Sequence, residues 1–122
     1  MEENYYYGTL IFMVIILLAI SIVSIIAQWK IYEKAGKPGW AVLIPFYNII
    51  VLLEIVGKPI WWLFLFLIPG VNLIFGIWTT NLLSKSFGKD EAFTVGLILL
   101  SFIFYPILGF GDAKYQGPAG TP

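Results

Sequence analysis

The sequence lacks cysteine and histidine, and all seven basic residues among its 122 positions are lysine. Without cysteine the chain forms no disulfide bond and offers no thiolate nucleophile. Without cysteine and histidine it also lacks the usual zinc ligands. We therefore expect no metal and no cofactor. Seven acidic residues balance the seven lysines, so the net charge is zero and nothing indicates a nucleic-acid partner.

Charge is scarce as well, because only 11% of the residues are charged and 60% are hydrophobic. Residues 4–29 and 59–84 are two stretches of 26 residues without a charge, and residues 92–111 are a third of 20 residues. About 20 apolar residues cross a bilayer as a helix. A water-soluble domain this small cannot bury so much apolar surface. The composition therefore predicts an integral membrane protein in contact with the lipid bilayer.

The long apolar runs predict an all-α bundle in one transmembrane domain, residues 1–111, followed by a flexible tail rich in glycine and proline at residues 112–122. Four transmembrane helices are expected, at about residues 8–35, 40–56, 60–84 and 91–110. Proline interrupts helices by removing a donor, so the last three helices are predicted to kink, at Pro45, Pro69 and Pro106.

The second segment is ambiguous, because its charge-free part, residues 38–53, would make only about 24 Å of helix. It either crosses the bilayer or is re-entrant, which means that it enters and returns on the same side. In both arrangements five lysines lie on one side and two on the other. Lysines favour the cytoplasmic side, so the N-terminus is predicted outside, while the side of the C-terminus stays open.

Two stretches of the chain nearly repeat: GKPGWAVLIPFYN from Gly36 and GKPIWWLFLFLIPGVN from Gly57. A phosphate-binding Walker loop needs further glycines and a Gly-Lys-Ser/Thr ending, which neither copy has. Glycine favours the left-handed residue that ends a helix, lysine favours the negative helix end, and proline suits the start of the next helix. We therefore predict helix-cap turns at Gly36, Lys37, Pro38, Gly57, Lys58 and Pro59.

Each copy ends in Ile-Pro-x-x-Asn, and four membrane spans would bring Asn48 and Asn72 near the middle of the bilayer. With Tyr47 and Glu54 they form a candidate midplane polar site. The asparagines either make hydrogen bonds between helices or bind a polar substrate or ion. Glu54 either pairs with Lys58, four residues later, or holds a proton or cation.

Small residues at helical spacing predict close contacts between helices in membranes. In this sequence they form short stripes on three of the expected helices. We expect packing contacts at Ser21, Ser24, Gly76, Thr80, Ala92 and Gly96.

Several motifs together resemble a small bacterial family of multi-span membrane proteins without an assigned function. They are GKPGW, LIPFYN, GKPIWW, IPGVN, SFGK, YPILGFG and AKYQGP, between about residues 29 and 118. The resemblance implies a compact helical module in the bacterial inner membrane. Some relatives are joined to or named after signal peptidase I, but this chain has no room for a peptidase domain, so the resemblance supplies no catalytic residues.

The leading hypothesis is a non-enzymatic scaffold or accessory subunit that self-associates or binds another membrane protein. Its basis is the low charge and the small-residue stripes. The alternative is a small transporter or channel built around Asn48 and Asn72.

Overall fold

A computed structural model describes residues 2–120 of the chain. Over this range the chain forms α-helices and one 3-10 helix but no strand, so the all-α prediction is confirmed. The α-helices are α1 (Glu2–Lys34), α2 (Pro45–Val56), α3 (Trp62–Phe66), α4 (Val71–Ser86), α5 (Glu91–Leu99) and α6 (Ser101–Phe110), and the 3-10 helix is Gly39–Leu43.

The first helix has two unlike halves. Almost every residue from Glu3 to Ile26 is exposed, whereas Ala27, Ile31 and Tyr32 are buried against the rest of the protein. Among the helices of residues 2–120, the stretch Glu3–Lys34 is the one long and apolar enough to cross a membrane. The apolar half of α1 therefore extends alone from a folded body that packs against its C-terminal half, mainly through α6 and the 3-10 helix.

The body consists of three helical hairpins. Hairpin 1 is the 3-10 helix with α2, hairpin 2 is α3 with α4, and hairpin 3 is α5 with α6. Aromatic contacts join the two arms of each hairpin: Trp40 stacks on Tyr47 with ring centroids 5.4 Å apart, and Phe93 meets Phe104 edge-on at 5.2 Å. In hairpin 2, Trp62 packs against Phe75 at 4.9 Å. Each of the three predicted segments after α1 thus folds back on itself.

The predicted kinks need correction, because two of the three prolines lie at helix ends. Ile44 is extended, as residues before proline prefer, and Pro45 is the first residue of α2. Pro69 lies between α3 and α4, so the predicted helix 60–84 is two helices. Pro106 does lie within α6, but the break in the predicted helix 91–110 comes at Leu100.

The sequence repeat corresponds to the hairpin. A Gly-Lys turn precedes each hairpin, and Ile-Pro-x-x-Asn forms the tip of the first two. The backbone N–H of Asn48 donates to the carbonyl of Ile44 over 2.7 Å, and that of Asn72 donates to Ile68 over 2.9 Å. These are equivalent bonds at the start of α2 and α4, although Pro45 begins α2 while Pro69 and Gly70, with a φ of 85°, precede α4.

The C-terminal ends of α1, α2, α4 and α6 meet at one end of the molecule. Lys37, just after α1, forms an ion pair with Glu54 near the end of α2. Lys34 donates hydrogen bonds from Nζ to the carbonyls of Leu108 and Gly111, at the end of α6. Four spanning helices would separate the turns at Gly36 and Gly57 by the thickness of a bilayer. The contacts bring both turns to the same end of the molecule, so the four-span arrangement is not confirmed.

The tail departs from the expectation of a flexible segment. It lies across the ends of hairpins 1 and 2, where the backbone N–H of Gln116 donates to Ser86 and that of Gly120 donates to Val56. The hydroxyl of Tyr115 donates to the carbonyl of Ile55 over 2.5 Å, and the tyrosine ring packs on Phe87. Backbone and side-chain bonds together hold residues 115–120 in place, while residues 121 and 122 lie outside the described range.

Candidate functional site

One end of the molecule, here called the lysine face, carries every lysine of the chain. The hairpins open toward it, and the tail crosses it. Lysines 30, 34 and 37 lie at the end of α1, lysines 58, 85 and 89 lie at the open end of hairpin 2, and Lys114 lies in the tail. The hairpin tips form the opposite end of the body and expose apolar side chains, among them Leu43, Ile44, Leu67, Ile68, Leu99 and Leu100. The body therefore has one charged end and one apolar end.

The Gly-Lys turns end their helices as their sequence suggests. Gly36 and Gly57 have φ angles of 76° and 82°, in the left-handed region that favours glycine. The backbone N–H of Lys37 donates to Tyr32, and that of Lys58 donates to Leu53, which satisfies carbonyls that a helix end leaves open. Pro38 and Pro59 follow and prevent either helix from continuing.

A third turn, at Gly88, has the same geometry. Its φ is 76°, and the backbone N–H of Lys89 donates to Ser84. Asp90 then caps α5 by accepting a hydrogen bond from the backbone N–H of Phe93. Lys85 pairs with Glu91 over 2.8 Å, and this hydrogen bond lowers the pKa of the Glu91 carboxyl. The Gly-Lys turns thus act as helix ends at three places.

A small cavity of about 100 Å³ lies where α1 meets all three hairpins. We call it the central cavity. Its walls combine amide and phenol groups with aliphatic side chains: Gln28, Ile31, Tyr32, Asn48, Leu52, Leu83 and Tyr105. A volume of this size holds a few water molecules, and the lining offers them both polar and apolar side chains.

Tyr32 and Asn48 connect α1 to hairpin 1 at the wall of the central cavity. Tyr32 is 4% exposed, and its hydroxyl donates to the side-chain oxygen of Asn48 and also lies 3.1 Å from the Asn48 carbonyl. The side-chain nitrogen of Asn48 faces the carbonyl of Val42 at 3.5 Å. Asn48 therefore acts as a hydrogen-bonding link between helices.

The predicted midplane site is not assembled as expected. Asn72 lies at the first turn of α4, beside the tip of hairpin 2, and does not line the central cavity with Asn48. Tyr47 stacks on Trp40 and is absent from that lining too. The two asparagines occupy equivalent positions in separate hairpins, because the sequence repeat describes a hairpin tip.

The pairing of Glu54 also differs from the expectation. Its carboxylate lies 3.0 Å from the Nζ of Lys37, which belongs to the first copy of the repeat, and it forms no ion pair with Lys58 of the second copy. The two side chains are 50% and 34% exposed, so the pair lies at the surface of the lysine face. Because Glu54 is at this face, it is not the carboxylate of a buried proton or cation site.

Lys58 lies over indole rings. Its Nζ is 5.2 Å from the centroid of the Trp62 ring and 5.4 Å from that of Trp78, within the range of cation–π attraction. Two more lysines lie over aromatic rings near the same face, Lys89 over Phe93 and Lys30 over Phe110. Lysine over an aromatic ring thus recurs around the lysine face.

Of the small residues expected to pack helices together, some lie at contacts between helices and others are exposed. Ser21 is exposed and Ser24 partly exposed on the bare half of α1, where no other helix covers them. Gly96 is buried, and a side chain there would overlap the Phe104 ring in the same hairpin. Ala92 is exposed on α5.

Gly76 and Thr80 lie on the partly buried face of α4. Phe66 approaches Gly76 across hairpin 2, and Thr80 donates to the carbonyl of Gly76 over 2.8 Å. Gly76 therefore lies at the contact between α4 and α3, while the Thr80 hydroxyl bonds within α4.

Sequence reasoning missed two residues of the central cavity, Tyr32 and Tyr105. Tyr32 follows the apolar run of α1 by only a few residues, and Tyr105 directly precedes a proline, so both resemble aromatic residues at a membrane boundary. The sequence did contain one signal for Tyr105, because it lies in an apolar stretch beside a proline within the expected helix. The cavity offers phenol and amide groups for hydrogen bonds, and its lining contains no charged residue.

The model of a family of unknown function (DUF5684) matches residues 40–118. The match begins at Trp40 and ends at Pro118, so it covers nearly all of the three hairpins and most of the tail, while α1 lies outside it. No curated protein and no solved structure matches the chain significantly. The shared unit is therefore the hairpin body.

Proposed function

The chain belongs to the family of unknown function DUF5684, and from its geometry we propose that it is a non-enzymatic scaffold or accessory subunit embedded in the bacterial inner membrane. In this proposal α1 crosses the bilayer once, and the three hairpins are re-entrant from the lysine face. The observation that carries the proposal is the meeting of all hairpin openings and all seven lysines at one end of the body.

Charge and polarity support this arrangement independently. Lysines near membrane spans favour the cytoplasmic side, and re-entrant hairpins place seven lysines on that side and none on the other. The apolar tips then point into the hydrocarbon, as the exposure of Leu67, Ile68 and Leu100 requires. The N-terminus lies outside, with Glu3 at the far end of α1, and both the hairpin openings and the tail lie in the cytoplasm.

A labelling experiment tests the topology, and the absence of native cysteine makes it direct. Lys37→Cys, Lys58→Cys and Glu3→Cys are produced as single-cysteine variants in sealed inner-membrane vesicles of known orientation. A membrane-impermeant maleimide should label positions 37 and 58 from the same side and position 3 from the other. Labelling of 37 and 58 from opposite sides would restore the four-span topology and refute the proposal.

The proposal of a scaffold function is based on the exposed N-terminal half of α1. In the most apolar 18-residue window of this helix only 6% of the residues are buried by the rest of the chain, so a second copy or another membrane protein has free access to it. Ser21 and Ser24 mark the face that allows the closest approach of another helix.

Cross-linking in membranes tests this contact. We expect Ser24→Cys to form a disulfide-linked dimer under mild oxidation, while the matched control Ile26→Cys, roughly opposite on the helix, stays monomeric. Equal cross-linking at both positions, or none at Ser24 together with a strict monomer in mild detergent and no partner in pull-downs, would refute self-association and partner binding through this face.

The transport alternative retains one supporting observation, the polar lining of the central cavity. Asn72 lies outside it, so the site would be reduced to Asn48 with Tyr32 and Gln28. Flux of a small polar solute in liposomes that Asn48→Leu abolishes would favour this alternative over the scaffold.

A further inference from the structure

We propose that Lys58, together with Trp62 and Trp78, binds the headgroup of an anionic phospholipid in the leaflet next to the lysine face. The inference rests on the proposed topology, which puts the open end of hairpin 2 at the level of the lipid phosphates. It adds a ligand and a binding site to that topology.

The lysines of the protein differ in whether their ammonium group has a carboxylate or carbonyl partner within the protein. Lys34 caps the carbonyls at the end of α6, Lys37 pairs with Glu54, and Lys85 pairs with Glu91. Lys58 forms no ion pair within residues 2–120, because the acid expected as its partner is bound by Lys37. Its positive charge is therefore available to an anion from outside the protein.

The surroundings of Lys58 hold its ammonium group at a defined place. Trp62, only 5% exposed, and Trp78 pack edge-on against each other with ring centroids 5.1 Å apart, and both lie on the same side of the ammonium group. Because both rings lie on one side of the ammonium group, its other side is open to an anion. An anion that binds here meets a cation whose position is already fixed, so it loses less freedom than it would by ordering a mobile lysine.

The aromatic residues also fit the headgroup level of a membrane, where tryptophan is enriched. Trp61 is 56% exposed and Trp78 is 46% exposed beside Lys58. Within the part of the chain that the structure describes, neither indole N–H donates a hydrogen bond, so both remain available to phosphate and ester oxygens. Indole donors beside a fixed ammonium suit a phospholipid headgroup.

Apolar side chains continue from this site toward the tip of hairpin 2. Phe64 is 67% exposed, Ile77 is 53% exposed and Ile74 is 65% exposed. They provide an apolar surface along which acyl chains can lie once the phosphate is at Lys58. A free phosphate would use only the lysine and the indole donors, whereas a phospholipid uses the whole surface, and we therefore assign the site to lipid.

Tryptophan quenching by brominated lipids tests the proposal on the full chain in vesicles. Quenching by brominated phosphatidylglycerol is compared with quenching by brominated phosphatidylcholine at equal lipid fractions. We expect a selectivity of about fivefold for phosphatidylglycerol, the size expected for one lysine near an anionic surface. Lys58→Gln should lose most of this selectivity, and Lys58→Arg should keep it.

The matched control is Lys114→Gln, which removes a lysine of the same face that lies over no aromatic ring. If Lys114→Gln and Lys58→Gln reduce the selectivity equally, the lysine face attracts anionic lipid generally and the site at Lys58 is refuted. Loss of selectivity on addition of inorganic phosphate, but not of chloride at equal ionic strength, would overturn the lipid assignment in favour of free phosphate.

The labelling of positions 37 and 58 distinguishes failure of the lipid site from failure of the proposed topology. Same-side labelling without any preference for phosphatidylglycerol refutes the lipid site and leaves the topology intact. Opposite-side labelling refutes the topology on which the site depends.

Discussion

The two Gly-Lys-Pro turns have nearly the same sequence and the same backbone but different side-chain partners. In both, a left-handed glycine ends a helix and the following lysine N–H closes the turn. Lys37, however, pairs with a carboxylate, whereas Lys58 lies over two indoles that pack against each other. The difference shows that five residues of sequence determine the turn, while residues far along the chain determine what its lysine binds.

Substitutions at the fourth position of each turn should reveal the largest difference in stability between the two turns. Gly39 is buried against Trp29, and a side chain there would overlap the indole, whereas the equivalent Ile60 is 62% exposed. We expect Gly39→Ile to destabilise the protein by about 3 kcal/mol or more, as overpacking does. The reverse change, Ile60→Gly, should cost less than about 1 kcal/mol. Unfolding in detergent, followed by tryptophan fluorescence, measures both, and equal losses would contradict the difference in packing.

The second-largest effect on the free energy of unfolding should come from Gly36→Ala and from Gly57→Ala, and it should be alike at both turns. Both glycines have positive φ, so alanine should cost about 1–2 kcal/mol at either position. The control is Gly8→Ala, within α1, where glycine has ordinary helical geometry and open surroundings. A neutral result at one turn only would show that its helix end is not maintained in solution.

Lys58→Gln should reveal a smaller difference in stability between the two turns. Loss of the contacts with Trp62 and Trp78 is expected to cost about 1 kcal/mol and to shift the tryptophan emission, because a charge beside the indoles is removed. Lys37→Gln, the equivalent change in the first turn, should leave the emission unchanged. An equal emission shift in both variants would contradict the placement of Lys58.

Glu54→Gln should have the smallest effect. The pair with Lys37 is largely exposed, so its removal is expected to cost about 0.5 kcal/mol, with the cost falling as salt increases. A double-mutant cycle should find coupling of Glu54 to Lys37 and none to Lys58. Coupling to Lys58 would show that the local pair of the sequence forms in place of the observed one.

The sequence was informative where a local rule decides the structure. The left-handed glycines, the prolines that follow them and the apolar run of α1 were all predicted, because each depends on a few neighbouring residues. The break at Leu100 was not, since no glycine or proline marks it. The break follows instead from contacts between the two arms, in which Phe104 fills the space left by Gly96.

The candidate site was less predictable than the fold. Asn48 was singled out correctly as a polar residue of the interior, but its partner Tyr32 lies 16 residues away on another helix. Pairing Asn48 with Asn72 followed from the expectation that both segments cross the membrane, and the two residues lie apart because each segment folds back on itself. Which of several polar residues meet depends on where the hairpins turn, and that is decided by packing between distant segments.

The uneven covering of α1 has a mechanical consequence for a bilayer. At one end the protein has the cross-section of a single helix, about 10 Å across, and at the other it has that of a helix together with three hairpins. In the proposed orientation it displaces far more lipid area from one leaflet than from the other, and so has the shape of a wedge. Many copies side by side would expand the leaflet next to the lysines and favour membrane curvature that is convex on that side.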